Sequence, residues 1–209
     1  MRGVLGGGAA GPSQPLRSPV ALEEIDYSAV PDWAEPYAVA EIGPRPWFCE
    51  PHEEGAEPDM RTAVQEIVSV EGPVHIEVVR QRLRDRWRIG QIGSRIRARL
   101  DSAICTSGVA RDGEFLHVKD RPAIRVRTPV GDCSRTVEQI HGSELELAIV
   151  NLVRDAGSIT ADDATVNVAR LYGWARVGSE IRSTLDATTE KLLADGRLVS
   201  ADGDLSVPS

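Results

Sequence analysis

The chain has 209 residues, 41% of them apolar and 27% charged, with a formal net charge of −8. That length allows one or two compact units, and the composition is ordinary for a globular chain. No window approaches the ~18 consecutive apolar residues of a membrane span, and MRGVLGGGAAGPSQP lacks the ~7–15-residue apolar core of a secretory leader; a cytoplasmic protein without membrane contact is expected.

The charge is unevenly spread: −8 over residues 1–59, +6 over 60–127 and −6 over 128–209. A basic block inside an acidic chain asks for a polyanionic partner at one place. The cysteines, Cys49, Cys105 and Cys133, are odd in number and form no CxxC pair, which argues against a disulfide framework and a zinc finger. The four histidines (His52, His75, His117, His141) have no paired ligand spacing. GxxxxGK[ST], HExxH, GxSxG and kinase signatures are missing. A non-catalytic chain with no cofactor and no metal is therefore expected.

Taken in order, residues 1–20 are Gly/Pro/Ser-rich, the composition of a disordered N-terminus. Residues 21–57 form an acidic flank holding Tyr27, Trp33, Tyr37, Trp47 and Phe48, which we expect to wrap onto the unit that begins at residue 58. Residues 58–120 are the first of two copies of that unit. Shifted by 85 positions, GSRIRARLD (Gly93–Asp101) falls on GSEIRSTLD (Gly178–Asp186), and Ile67, Gly72, Val74 and Trp87 fall on Leu152, Gly157, Ile159 and Tyr172. A long ungapped match at a fixed period marks a duplicated structural unit.

Each copy reads alike. A first helix carries Ala63, Val64, Ile67 and Val68, or Ala148, Ile149, Leu152 and Val153, as one apolar face. Ser143 with Glu146 has the form of a capping box. Gly72 and Gly157 end these helices, and Val74 and Ile159 are single bridging-strand residues. A second helix comes next (Ile76, Val79, Leu83, Trp87; Ala164, Val168, Leu171, Tyr172). Thr160 and Asp163 are its expected cap in the second copy. The third helix buries Ile92, Ile96, Leu100 and Ala103, or Val177, Ile181 and Leu185; in the first copy it has three fewer residues in which to end. Each copy closes in a hairpin, bent at Asp112-Gly113 and at Asp202-Gly203. The fold class expected is mainly α with small β-wings (α+β), as tandem winged helix-turn-helix repeats. The basic winged helix 1 spans 58–120, an extended linker 121–139, and the acidic winged helix 2 spans 140–208.

EGPVHIEVVRQRL, GSRIRARLD and GEFLHV, with the flanks DWAEPYAVAEI and RPAIRVR, resemble the domain of unknown function 3320 family over about residues 22–209. That resemblance implies the C-terminal region of a bacterial superfamily 1 helicase-like protein. In that family an Arg stands two residues before the Gly of the third-helix motif. Arg176 matches it, whereas the first copy has Gln91.

With one face of the first copy's third helix buried, its outward ridge is Ser94, Ala98, Ser102 and Cys105, flanked by Arg95 and Arg99 on one side and Arg97 on the other. Small residues let a helix approach a groove, and arginines beside them reach phosphates or base edges. The candidate nucleic-acid contacts are Gln91, Ser94, Arg95 and Arg99 at this helix, Arg111 in the wing, and Arg125 and Arg127, with Arg121, in the linker. Arg97 with Asp101, and Arg182 with Asp186, are spaced as surface ion pairs worth ~0.3–0.5 kcal/mol. Arg80, Arg82, Arg84, Arg86 and Arg88 are expected to be solvated, Trp87 and Tyr172 to be core, and His75 to be a cap. Glu180 and Thr184 stand where the first copy has Arg95 and Arg99. The function expected is therefore non-catalytic, helicase-accessory binding of duplex DNA with weak sequence preference, through the first copy. Two other readings are a docking module recruiting a helicase motor or nuclease, and the C-terminal fragment of a helicase.

Overall fold

Helix α1 (Ala56–Glu71) turns Met60, Ala63, Val64, Ile67 and Val68 to one face, and all are buried. Gly72 caps its end by donating to the Val68 carbonyl. The chain then makes β2 (Val74–His75), α2 (Ile76–Trp87), α3 (Ser94–Thr106) and the hairpin β3 (Ala110–Asp112)–β4 (Phe115–His117). β2 pairs antiparallel with β4, setting Val74 opposite Leu116, so the sheet order is β2-β4-β3. The computed structural model describes residues 30–45, 47, 49–90, 93–120 and 123–208. The expectations for residues 1–20, Tyr27, Phe48, Gln91, Ile92 and Arg121 lie outside those residues.

The second half repeats the order: α4 (Gly142–Ala156), β6 (Ile159–Thr160), α5 (Ala161–Leu171), α6 (Ser179–Ala194) and the hairpin β7 (Val199–Ala201)–β8 (Asp204–Ser206), with sheet order β6-β8-β7. The class is α+β, helices carrying most of the ordered chain and the strands being two or three residues long. Helix α3 has 13 residues and α6 has 16, the three-residue difference expected from the spacing. Each half has its own core. In the first, Leu83 and Trp87 of α2 and Leu100 and Ala103 of α3 meet the α1 face. In the second, Val168, Tyr172 and Leu185 meet Leu145, Ile149 and Leu152.

Local chemistry explains most element ends and corrects two expectations. His75 caps α2 through its Nδ1, which accepts from the Glu77 N–H, and Thr160 caps α5 by accepting from the Asp163 N–H. The cap of α4 is His141, whose Nδ1 accepts from the Ser143 N–H. Ser143 already lies inside that helix. Glu146 reaches away from the helix start to Lys191 and Arg197, so the expected capping box is absent there. At the second hairpin, Asp202 and Gly203 have φ of +54° and +92°, as a two-residue primed turn needs. In the first hairpin Asp112 pairs with Phe115. The turn is therefore Gly113-Glu114, one residue later than the Asp-Gly signal suggests.

Two outer segments join the halves. β1 (Ala34–Pro36) pairs in parallel with β5 (Val126–Thr128), so part of the expected linker is a strand. Trp33 packs on the second core and donates to Asp155 at 2.5 Å, whereas Ala40, Ile42 and Cys49 pack on the first. The flank thus lies along both halves. Between them sits a buried polar cluster. Glu71, at the end of α1, accepts from the Tyr37 hydroxyl at 2.6 Å, the Ala40 N–H at 3.0 Å and Arg82 at 3.2 Å. Glu144, in the first turn of α4, accepts from Arg127 at 2.6 Å and Arg135 at 2.8 Å. Arg127 also donates to the carbonyls of Glu71 and Pro73 in the first half. No helix among the described residues is long and apolar enough to cross a membrane.

Candidate nucleic-acid interface

Helix α3 starts at Gly93, whose extended backbone forms its N-cap. Leu100, Ala103 and Ile104 are buried and Ile96 is half-buried, which turns Ser94, Arg95, Arg97 and Ala98 outward into solvent. The small residues of the ridge sit as the periodicity predicts. The charges around them are arranged differently from expectation.

Arg95 and Arg97 have no ion-pair partner among the described residues. Arg99 does, lying 3.0 Å from Glu57 in the first turn of α1. The Ser102 hydroxyl donates to the same carboxylate at 2.9 Å. These bonds from Ser102 and Arg99 hold the Glu57 carboxyl below its ordinary range. One of the ridge's three flanking arginines is thus neutralised from within the chain. Asp101 is taken by Arg80 of α2 at 2.7 Å, which leaves Arg97 without the expected intrahelical partner. Arg182 likewise reaches Asp162 of α5 at 2.7 Å. Both predicted i,i+4 pairs give way to pairs between helices, because the packed neighbour offers an opposite charge, Arg80 to Asp101 and Asp162 to Arg182.

The remaining candidates divide by burial. Arg111, on the β3–β4 hairpin, is exposed but folded back on its own turn, donating to the Gly113 carbonyl at 2.6 Å and the Glu114 carboxylate at 2.7 Å. The same hairpin sets the Phe115 ring edge-on to His75 and His141, with centroids 5.2 and 4.9 Å apart, so one side of it packs on the start of α4. Arg125 is exposed and pairs with Glu35 of β1 at 3.1 Å. Arg127 is a correction. It is 6% exposed and wholly engaged in the buried cluster, so it holds the halves together and has no reach to a phosphate. The arginines of α2 are also corrected: Arg80, Arg82 and Arg86 pair with Asp101, Glu71 and Asp59 rather than standing in solvent.

The matching face of α6 carries the opposite electrostatics. Glu180, at the position of Arg95, stands beside Glu138, and the interaction of the two carboxyls raises that of Glu180 and lowers that of Glu138. Neighbouring carboxyls on this face repel a polyanion. Of the two third helices, only α3 presents cations without an ion-pair partner among the described residues, since Arg182 and Lys191 of α6 are held by Asp162 and Glu146.

These features lie mostly within one matched segment. Residues 50–98 match the family model described as Protein of unknown function (DUF3320). The DUF3320 segment contains α1, β2, α2 and the first turn of α3 with Ser94, Arg95 and Arg97. The match bears out the resemblance read from the sequence over this stretch, which is narrower than residues 22–209. No curated protein and no solved structure matches the chain.

Proposed function

We propose that the chain is a non-catalytic DNA-binding module built from two tandem winged helices, in which α3 of the first approaches duplex DNA. In this reading, Ser94 and Ala98 let the helix come close, and Arg95 and Arg97 reach phosphates on either side. The observation that carries it is the pair of exposed arginines without ion-pair partners among the described residues, beside small residues on α3, where α6 has neighbouring carboxyls. Arg111 and Arg125 are exposed and near their own acids, so they join only by exchanging Glu114 and Glu35 for phosphate. Two to four phosphate contacts give a salt slope of about −2 to −4 on log-log axes. Such binding is weak at physiological salt and has little base preference. An accessory role beside a helicase motor fits this profile.

The test is fluorescence anisotropy of a labelled duplex across a salt series, with Arg95→Ala/Arg97→Ala as the variant. We expect tenfold or greater loss of affinity at low salt and a slope shallower by about 2, with the melting temperature unchanged. An unaltered slope in the double variant would remove α3 as the contact.

A further inference from the structure

We infer that the first half carries a second binding site, a groove along the outer side of α2 that takes an acidic peptide segment of a partner protein anchored by one aliphatic side chain. It is independent of the α3 face and of the proposed duplex contact.

The groove consists of two adjoining hollows that share Arg82 as a common wall. The first, about 520 Å³, has Val78 of α2 as its apolar floor, with Val39 from the flank and Val130 from the connecting segment on its sides. Its polar lining includes Gln81, Cys133, Arg82, Arg135 and one carboxylate, Asp132. The second, about 630 Å³, lies toward the end of α2 and is bounded by Trp47, Arg45, Arg86, Arg88 and Asp85. Val39, Trp47 and Val130 are 39%, 88% and 50% exposed. Three of the six large apolar side chains exposed among the described residues therefore line one groove. Apolar side chains gathered in one concavity mark an interaction site more than scattered ones do.

The charge of the lining selects the occupant. Arg45, Arg86 and Arg88 surround the second hollow against a single carboxylate, Asp85. Arg86 is committed to Asp59, and Arg45 approaches Glu50 at 3.4 Å. Arg88 is exposed, has a left-handed backbone, and has no ion-pair partner among the described residues. A valine-lined hollow desolvates an aliphatic side chain, and the two arginines of its lining, Arg82 and Arg135, are already held by Glu71 and Glu144. The neighbouring cations attract carboxylates, and Trp47 gives them an apolar wall. This combination fits an extended acidic segment better than a nucleic acid, whose backbone would have to lie over the valines.

The duplication supplies an internal comparison. Shifted by 85 positions, Val78, Arg82 and Arg88 correspond to Asp163, Asn167 and Gly173. The second copy keeps the core positions of its helix and lacks the valine floor and both arginines. The groove is thus a property of the first copy rather than of the fold that both share.

A random dodecapeptide display library panned on the full chain tests this, with recovered peptides synthesised, labelled and titrated by anisotropy. Recovered peptides are expected to combine Asp or Glu with one Leu, Ile or Val. Val130→Asp should weaken them at least tenfold and Arg88→Glu several-fold, while Arg95→Ala/Arg97→Ala leaves them unchanged. Val130 and Arg88 are exposed, so melting temperatures equal to wild type are expected and confirm that the variants fold. Recovery of no acidic–aliphatic motif, equal binding to Val130→Asp, or displacement of the peptides by a 12-mer of oligothymidylate would each overturn the assignment. So would self-association of the chain through this groove, seen by sedimentation and lost in Val130→Asp.

Discussion

Glu144 shows how a single buried carboxylate organises its surroundings. Burial alone would push its carboxyl up, but Arg135 and Arg127 outweigh that and hold it below its ordinary range. Its place in the first turn of α4 adds the favourable end of the helix dipole. A carboxyl whose folded-state pKa is depressed adds stability above the unfolded-state value of about 4.3, and that stability is lost as pH falls through the folded-state pKa. Wild-type protein should therefore lose stability as the pH falls below about 4.3, with Glu57 and Glu146, also lowered by their partners, contributing in the same sense. Glu144→Gln leaves two buried guanidiniums without their charge partner and should cost about 3–5 kcal/mol at pH 7. It should also flatten the acid limb of a melting-temperature-against-pH plot. A variant as stable as wild type, with an unchanged acid limb, would show that the cluster contributes nothing net. Arg97 makes the complementary point at an exposed site. Its spacing from Asp101 is legible in the sequence, yet Arg80 reaches Asp101 first across the α2–α3 contact.

Among the elements, α3 and α6 share a frame and differ in surface. The apolar positions Ile96 and Leu100 recur as Ile181 and Leu185, because both helices must bury the same stripe. Their outward residues are free of that demand, and one helix became basic and the other acidic. Glu57 of α1 tempers the basic helix by holding Arg99. Glu57→Gln should free Arg99 for phosphate. In a salt titration of duplex binding, we expect this variant to bind more tightly, with a slope steeper by about 0.9. A slope that does not change would mean Arg99 stays held by Ser102's neighbourhood or lies off the contact. The first hairpin gives a smaller lesson. Asp112-Gly113 is a strong turn signal, but the pairing of β4 with β2, Val74 opposite Leu116 and His75 opposite Phe115, fixes the register and moves the bend one residue on.

At the scale of the whole molecule, two separate cores are joined through a buried polar cluster. Arg127 ties Glu144 of the second half to the carbonyls of Glu71 and Pro73 in the first. The Arg135 guanidinium lies 4.4 Å from the Tyr37 ring centroid and 5.9 Å from that of Tyr172. The halves should therefore unfold as one cooperative unit. Arg127→Met should lower the melting temperature and split the calorimetric transition in two, because each half keeps its own core. One undivided transition in the variant would show that the β1–β5 pair and Tyr37 suffice as the tie.

The amino-acid pattern alone determined the duplication, the element order, the core positions and the contrast between a basic and an acidic third helix. All of these come from periodicity and from residues a few positions apart. It placed Ser94, Arg95 and Ala98 outward correctly, since a helix with one buried face has only one way to turn the rest. Tertiary structure decided which arginines are available. Arg82, Arg99 and Arg127 lie 11, 42 and 17 residues from the carboxylates that hold them, and only packing brings those charges together. The groove beside α2 is likewise invisible in any local pattern, because its three walls come from the flank, the helix and the connecting segment.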